Sequence, residues 1–263
     1  MKARLCSLAL MFGGLICATA LVKAETPSSH MLSIGASSSG MSAVIDPKAR
    51  ALLVNMTKAY RALHSYEGNV EIEAGAGANV NSSSSTVSYE KPNLAVVFTK
   101  SPSGTFKTIA DGKAIYVTKP DDRKEYEQMP DAADPGAIAL AIRTGGASAI
   151  GLFPFAAAGT DPFILLSRNL KSLSMLDPST VSGVPVDVVQ AVETAPGRKD
   201  ATMTIEIGRR DRLIRRVGFL SGDGNSIVET LTDVKVDPVL SSAIFRFVPP
   251  PGSKSIPITP TQQ

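Results

Sequence analysis

His30 and His64 are the only histidines of this sequence, and Cys6 and Cys17 the only cysteines. A catalytic metal or a Ser-His-Asp set needs imidazoles or thiolates that can be brought together. His30 lies in a Ser- and Gly-rich stretch, while His64 ends a helical pattern, a position that the helix dipole favours without any chemistry. Carboxylates can act without histidine, and the densest are Asp121, Asp122, Glu125 and Glu127. They alternate with Arg123 and Lys124, as solvated turns and strand faces do. Gly75-Ala76-Gly77 has no further glycine and no following helix to cradle a phosphate. Arg209, Arg210, Arg212, Arg215 and Arg216 form a basic run, but alternation along a strand pair divides them between two faces. No catalytic residue, cofactor or metal ligand is assigned on these grounds, and a carboxylate hydrolase is the least favoured class.

The first residues explain why the cysteines do no chemistry. Lys2 and Arg4 precede an apolar run from Leu5 to Val22 that closes on Lys23-Ala24. A short basic region, an apolar core and a small residue at the end make a secretory signal peptide, residues 1–24, with cleavage expected after Ala24. Ser7, Gly13, Gly14 and Thr19 loosen the run, which argues against a retained span. Acylation at Cys17 is a rival reading, disfavoured by Ile16 where a small residue is wanted. Cleavage removes both cysteines, so neither a disulfide nor a thiol nucleophile remains. It also removes Lys2, Arg4 and Lys23 from 27 basic residues and none of the 24 acidic ones, leaving an even balance. That balance, with no Trp, speaks against a nucleic-acid partner or an anionic membrane surface. The expected location is the periplasm, with no transmembrane segment after cleavage.

Residues 25–46 show no sustained period and read as a flexible leader. Residues 47–257 have the length of one domain, and 258–263 read as a disordered tail. Asp46-Pro47 supplies a helix N-cap and first-turn proline, and Leu52, Met56, Ala59 and Leu63 recur at helical spacing. The period then becomes two through Val70 and Ile72, Val87 and Tyr89, and Leu94, Val96 and Phe98. Asp111-Gly112 joins Phe106–Ala110 to Ala114–Thr118 as a tight hairpin, and another strand follows near Lys124–Met129. Asp134–Met175 is rich in Ala and Leu and broken by Gly145-Gly146, Pro154, Gly159 and Pro162, which predicts two or three short helices. Strands return at Val184–Val192, Thr202–Ile207, Leu213–Leu220 and Ile227–Val236. The fold class is α+β: a half-open, curved antiparallel sheet or barrel of about 9–11 strands, covered by an N-terminal helix and a helical insert.

Several of these stretches carry a resemblance. Leu63-His64-Ser65-Tyr66, Tyr89-Glu90-Lys91-Pro92-Asn93, Asp111-Gly112-Lys113 before Ile115-Tyr116-Val117, Ser182-Gly183-Val184-Pro185, and the ending Ile244-Phe245-Arg246-Phe247-Val248-Pro249-Pro250 occur in order over about residues 45–256. Together they resemble the outer-membrane lipoprotein-sorting superfamily of LolA/LolB-like periplasmic carriers, most closely its predicted periplasmic branch. The resemblance implies a half-open barrel closed by helices, an apolar cavity for acyl chains, and a sheet arginine that holds the lid.

On that expectation the cavity-lining residues are Val96, Phe98, Phe106, Ile115 and Val117 on strands, and Leu152, Phe153, Phe155 and Phe163 on the insert. Phe153-Pro154-Phe155, bounded by glycines, suits a mobile apolar flap. Each of these side chains serves equally as ordinary core. Arg215, which alternates with Leu213, Val217 and Phe219, is the lid-holding candidate, with an edge position and a snorkelling stem as its plain alternative. The expected function is a monomeric, non-catalytic carrier for a lipid, an acyl chain or a lipoprotein. Its rival is a structural or sensory module with a filled core that binds an envelope protein partner. Whether the interior is open or filled is not readable in the sequence.

Overall fold

The Asp46 carboxylate accepts a hydrogen bond from Lys48 N (2.7 Å) and so starts the first helix at Pro47, as predicted. The computed structural model describes residues 43–257 except 78, 120, 121, 131–135, 162, 167, 168, 195, 196 and 198. The signal peptide, most of the leader and the tail lie outside the described residues. In chain order come β1 (Val44–Ile45), α1 (Pro47–Ala62), β2 (Ser65–Ala76), β3 (Asn79–Glu90), β4 (Leu94–Ser101), β5 (Gly104–Asp111), β6 (Ala114–Lys119) and β7 (Asp122–Pro130). The insert follows as α2 (Gly136–Thr144), α3 (Leu152–Ala157) and α4 (Phe163–Leu166). Then come β8 (Leu170–Val181), β9 (Val184–Glu193), β10 (Ala201–Gly208), β11 (Ile214–Leu220), β12 (Asn225–Val236) and β13 (Lys254–Pro257).

The 13 strands form one open sheet in the order β1-β8-β9-β10-β11-β12-β2-β3-β4-β5-β6-β7-β13. Pairing of β12 with β2 joins a C-terminal meander to an N-terminal one, and the insert carries the chain from β7 to β8. The two edge strands, β1 and β13, are short and pair in parallel, which limits exposed ladder groups at both edges. Asp111 fixes the predicted hairpin: its carboxylate accepts from Lys113 N (2.9 Å) and Ala114 N (3.0 Å) while Gly112 takes φ 88°.

Three strands were not foreseen: β1, β8 and β13. Strand β1 lies inside the segment read as leader, where Val44 and Ile45 pair with Ser172 and Leu173 of β8. The start of β8 falls within Asp134–Met175, the Ala- and Leu-rich stretch expected to be helical, where Leu170 and Leu173 stand three residues apart. A register shift between Leu170 and Ser172 produces that spacing, because the extra residue of a bulge puts Leu170 and Leu173 both into the core.

One face of the sheet carries the helices. There α2 packs on β4, β5 and β6, α3 on α1 and α2, and α1 on β8. Buried residues from all these elements form a single core that includes Leu53, Met56, Tyr60, Tyr66, Val97 and Phe153. A Cβ on Gly145 would lie 2.7 Å from Val97, so this glycine lets the end of α2 approach β4 closely. The opposite face of β4 and β5 is covered by the 3-10 turn Ser242–Phe245, with Phe247 stacked on Tyr116 (ring centroids 4.0 Å). Among the described residues no helix is long and apolar enough to cross a membrane.

Candidate functional site

Among the described residues, side-chain hydrogen bonds fasten the insert to the rest of the molecule at three points along its length. At the first, Thr99 Oγ1 of β4 donates to Gly145 O (2.6 Å), just past the end of α2. Its one proton is used there, so Ser85 is the donor in the 2.7 Å bond between the two hydroxyls. At the last, Arg61 Nε of α1 donates to Gly159 O (2.8 Å), past the end of α3.

The middle point is a buried carboxylate. Ile227, Glu229 and Leu231 alternate along β12, and Glu229 is fully buried. Its Oε1 accepts from Ala149 N (2.5 Å), Ile150 N (2.6 Å) and Ser148 Oγ (2.9 Å), and its Oε2 lies 3.1 Å from the same hydroxyl. Ser148 Oγ in turn accepts from Gly151 N (3.0 Å), at the entrance to α3. One acid on the sheet therefore fixes the whole 148–151 loop. Removal from water pushes its carboxyl above the ordinary 4.5, against the opposing pull of the bonds from Ile150, Ser148 and Ala149.

The sign of that shift sets a pH dependence. A carboxyl whose value rises on burial favours the fastened state most when protonated, so its stabilising contribution is complete below about 4.5 and is lost as pH climbs through the raised value. Glu229→Gln keeps an acceptor for the two amides and cannot ionise. We expect its stability to fall less than that of the wild type as pH rises from about 4 to 8, a difference that paired thermal melts measure. Parallel pH curves for the two proteins would contradict it.

Beyond this loop α3 places Leu152 and Phe153 in the core, both fully buried or nearly so. The Phe153 ring lies 5.6 Å from Tyr66 and 6.3 Å from Tyr60, and Tyr66 stacks on Tyr89 at 5.2 Å. Phe153 thus occupies the space beside Tyr60 and Tyr66 in this conformation. Clefts open at the surface among the described residues. One, of about 190 Å³, lies between α2 and α3 against Leu140, Arg143 and Phe155. Another, of about 450 Å³, is bordered by Glu71, Glu73, Ser82, Ser84 and Lys100, which suit a polar guest rather than an alkyl chain.

The predicted cavity residues divide. Strand pairing puts Phe106, Ile115 and Val117 on the helix-bearing face with Val97, and Val96 and Phe98 on the other, so these last two do not line the interior. The inward residues of β4 are the smaller Ala95, Val97 and Thr99, because α2 comes so close. Phe106 is half-buried, with the Lys119 ammonium 5.3 Å from its ring. Phe155 borders the smaller cleft, and Phe163 is half-buried under the Arg50 guanidinium at 5.3 Å.

Arg215 is buried rather than snorkelling at an edge, and its hydrogen bonds go to Asp211, Leu213 and Ile214 rather than to the insert. It sits at a register shift of β11, pairs with Asp211, and donates to Leu213 O and Ile214 O (3.3 Å each), which fixes the turn between β10 and β11. The charged side chain through which the sheet holds the 148–151 loop is Glu229. An acid between Ile227 and Leu231 on an alternating strand was the signal for it in the sequence.

The family model described as Predicted periplasmic protein (DUF2092) matches residues 49–259. No curated protein matches the sequence. Among solved structures, the lipoprotein LppX of Mycobacterium tuberculosis is 15% identical, with 75% of this chain and 99% of that chain covered and a TM-score of 0.48. A chain of the MucA/MucB complex of Pseudomonas aeruginosa is 13% identical, with 76% of this chain and 61% of that chain covered and a TM-score of 0.45. A LolA superfamily protein from Nitrosomonas europaea is 10% identical, with 76% and 97% covered and a TM-score of 0.35.

Proposed function

This chain belongs to the predicted periplasmic protein family DUF2092, and from that membership we propose that it is an exported, non-catalytic carrier for a hydrophobic ligand such as a lipid or lipoprotein acyl chain. The observation that carries the reading is the attachment of α3. Its apolar plug, Leu152 and Phe153, enters the core on a loop held by one carboxylate, Glu229. Such a cover would be released by breaking a few polar contacts and withdrawing the plug, whose apolar burial an alkyl chain would replace in the same space and along the inner face of β5 and β6, with Ile115 and Val117. Phe106, Phe155 and Phe163 would rim that opening. The signal peptide would direct export and be cleaved after Ala24.

The full burial of Leu152 and Phe153 favours a second reading, in which the plug stays in place and the surface binds an envelope protein. Titration of the mature protein with an environment-sensitive fatty acyl probe, alongside native mass spectrometry after gentle extraction, separates the two. The carrier reading expects saturable uptake and co-purified lipid. No uptake by either the wild type or a Glu229→Ala variant would sink it and leave the interaction module.

A further inference from the structure

Among the described residues three buried hydroxyls have no hydrogen-bond partner, those of Tyr66, Tyr89 and Thr108, and the first two lie side by side. Tyr66 and Tyr89 face each other across β2 and β3 as direct partners, with rings nearly parallel at 8° and both residues 0% exposed. Neither hydroxyl has a hydrogen-bond partner among the described residues. Tyr60, beside them, is different, since its hydroxyl accepts from Ile214 N (3.3 Å). Leaving a buried hydroxyl unpaired costs about 1–3 kcal/mol, and phenylalanine would fill the same space without that cost. The local backbone accommodates the arrangement: a Cβ on Gly68 would lie 2.7 Å from the Tyr66 hydroxyl, so only glycine leaves room for it. Burial holds both phenols well above their ordinary value of 10, so they remain protonated donors.

The side chain against Tyr66 is Phe153, the plug of α3. We propose that Tyr66 and Tyr89 form the polar floor of the ligand site, donating hydrogen bonds to the carbonyl oxygen of an acyl ester whose hydrocarbon chain takes the place of Phe153. This rests on the carrier reading and names the part of the ligand that the carrier recognises. A neutral ester fits better than a free carboxylate. A buried anion needs a counter-charge, and the cation near these tyrosines, Arg215, is already paired with Asp211. A glycerolipid and the diacylglyceryl group of a lipoprotein both present such a carbonyl.

The test compares two probes of equal chain length, monooleoyl glycerol and the corresponding oleyl glycerol ether, which lacks the carbonyl. The wild type is expected to bind the ester roughly tenfold more tightly, the worth of one or two net hydrogen bonds. The double variant Tyr66→Phe/Tyr89→Phe should bind both probes as the wild type binds the ether. Its melting temperature should equal or exceed that of the wild type, because no bond is lost in the ligand-free protein. A glycerolipid and a lipoprotein source are then told apart by competition with a synthetic diacylated lipopeptide. Equal affinity for ester and ether in a wild type that binds both overturns the tyrosine floor and leaves the carrier standing. Binding of neither probe overturns both. A clear drop in the melting temperature of the double variant means that the hydroxyls serve the fold through an ordered water, and it also overturns the inference.

Discussion

Glu229→Ala is expected to cost the fold about 3–5 kcal/mol and to free the 148–151 loop first. The carboxylate accepts from two backbone amides and a hydroxyl in a site closed to water. Alanine leaves those donors without acceptors, at about 1–3 kcal/mol each. The variant also loses the link between β12 and the entrance to α3, so the damage is local before it is global. Amide exchange at Ala149 and Ile150 should therefore accelerate on the order of a hundredfold, while amides in the middle of β2 and β3 change less. Glu229→Gln is the control, since its amide oxygen still accepts from both amides and only the bond given by Ser148 must be rearranged. If alanine and glutamine variants exchange alike at Ala149 and Ile150, the carboxylate does not hold the loop.

Elements with one buried and one wet face were legible in the sequence. The alternation of Met203, Ile205 and Ile207 with polar residues gave β10 and its inward face, and Asp46-Pro47 gave the start of α1. Where both faces are covered, alternation loses its meaning. On β4 apolar residues lie on both sides, under α2 on one and the turn holding Phe245 on the other. Large side chains then look inward when the tight approach of α2 in fact demands small ones, and Val96 and Phe98 were misplaced for that reason. The start of β8 was hidden differently: its bulge removes the strict alternation that marks a strand, and it follows directly on the Ala- and Leu-rich insert. The fastening of the insert depends on residues far apart in the chain, such as Glu229 with 148–150 and Arg61 with Gly159. Local pattern carries no register between such segments. It carried one trace of this site, an acid flanked by Ile227 and Leu231 on an inward face, whose partner only the folded chain supplies.

Phe153→Ala is expected to move stability and ligand uptake in opposite directions. The ring is fully buried and touches Tyr60 and Tyr66, so its removal leaves a cavity as well as losing transfer energy, together about 3–5 kcal/mol. For a domain of this size that is a fall in melting temperature on the order of 10 °C. An apolar void of this kind stays dry and accepts small apolar guests, so benzene should restore part of the loss. If Phe153 is the group that a ligand displaces, the variant no longer pays to remove it, and its affinity for an acyl probe should rise severalfold above the wild type. A ring that only completes a solid core gives the same destabilisation and the same rescue by benzene, but no gain for long-chain probes, because the rest of the insert still blocks their path. The long-chain titration therefore decides between a carrier whose cover has a removable stopper and a sheet whose interior is closed for good.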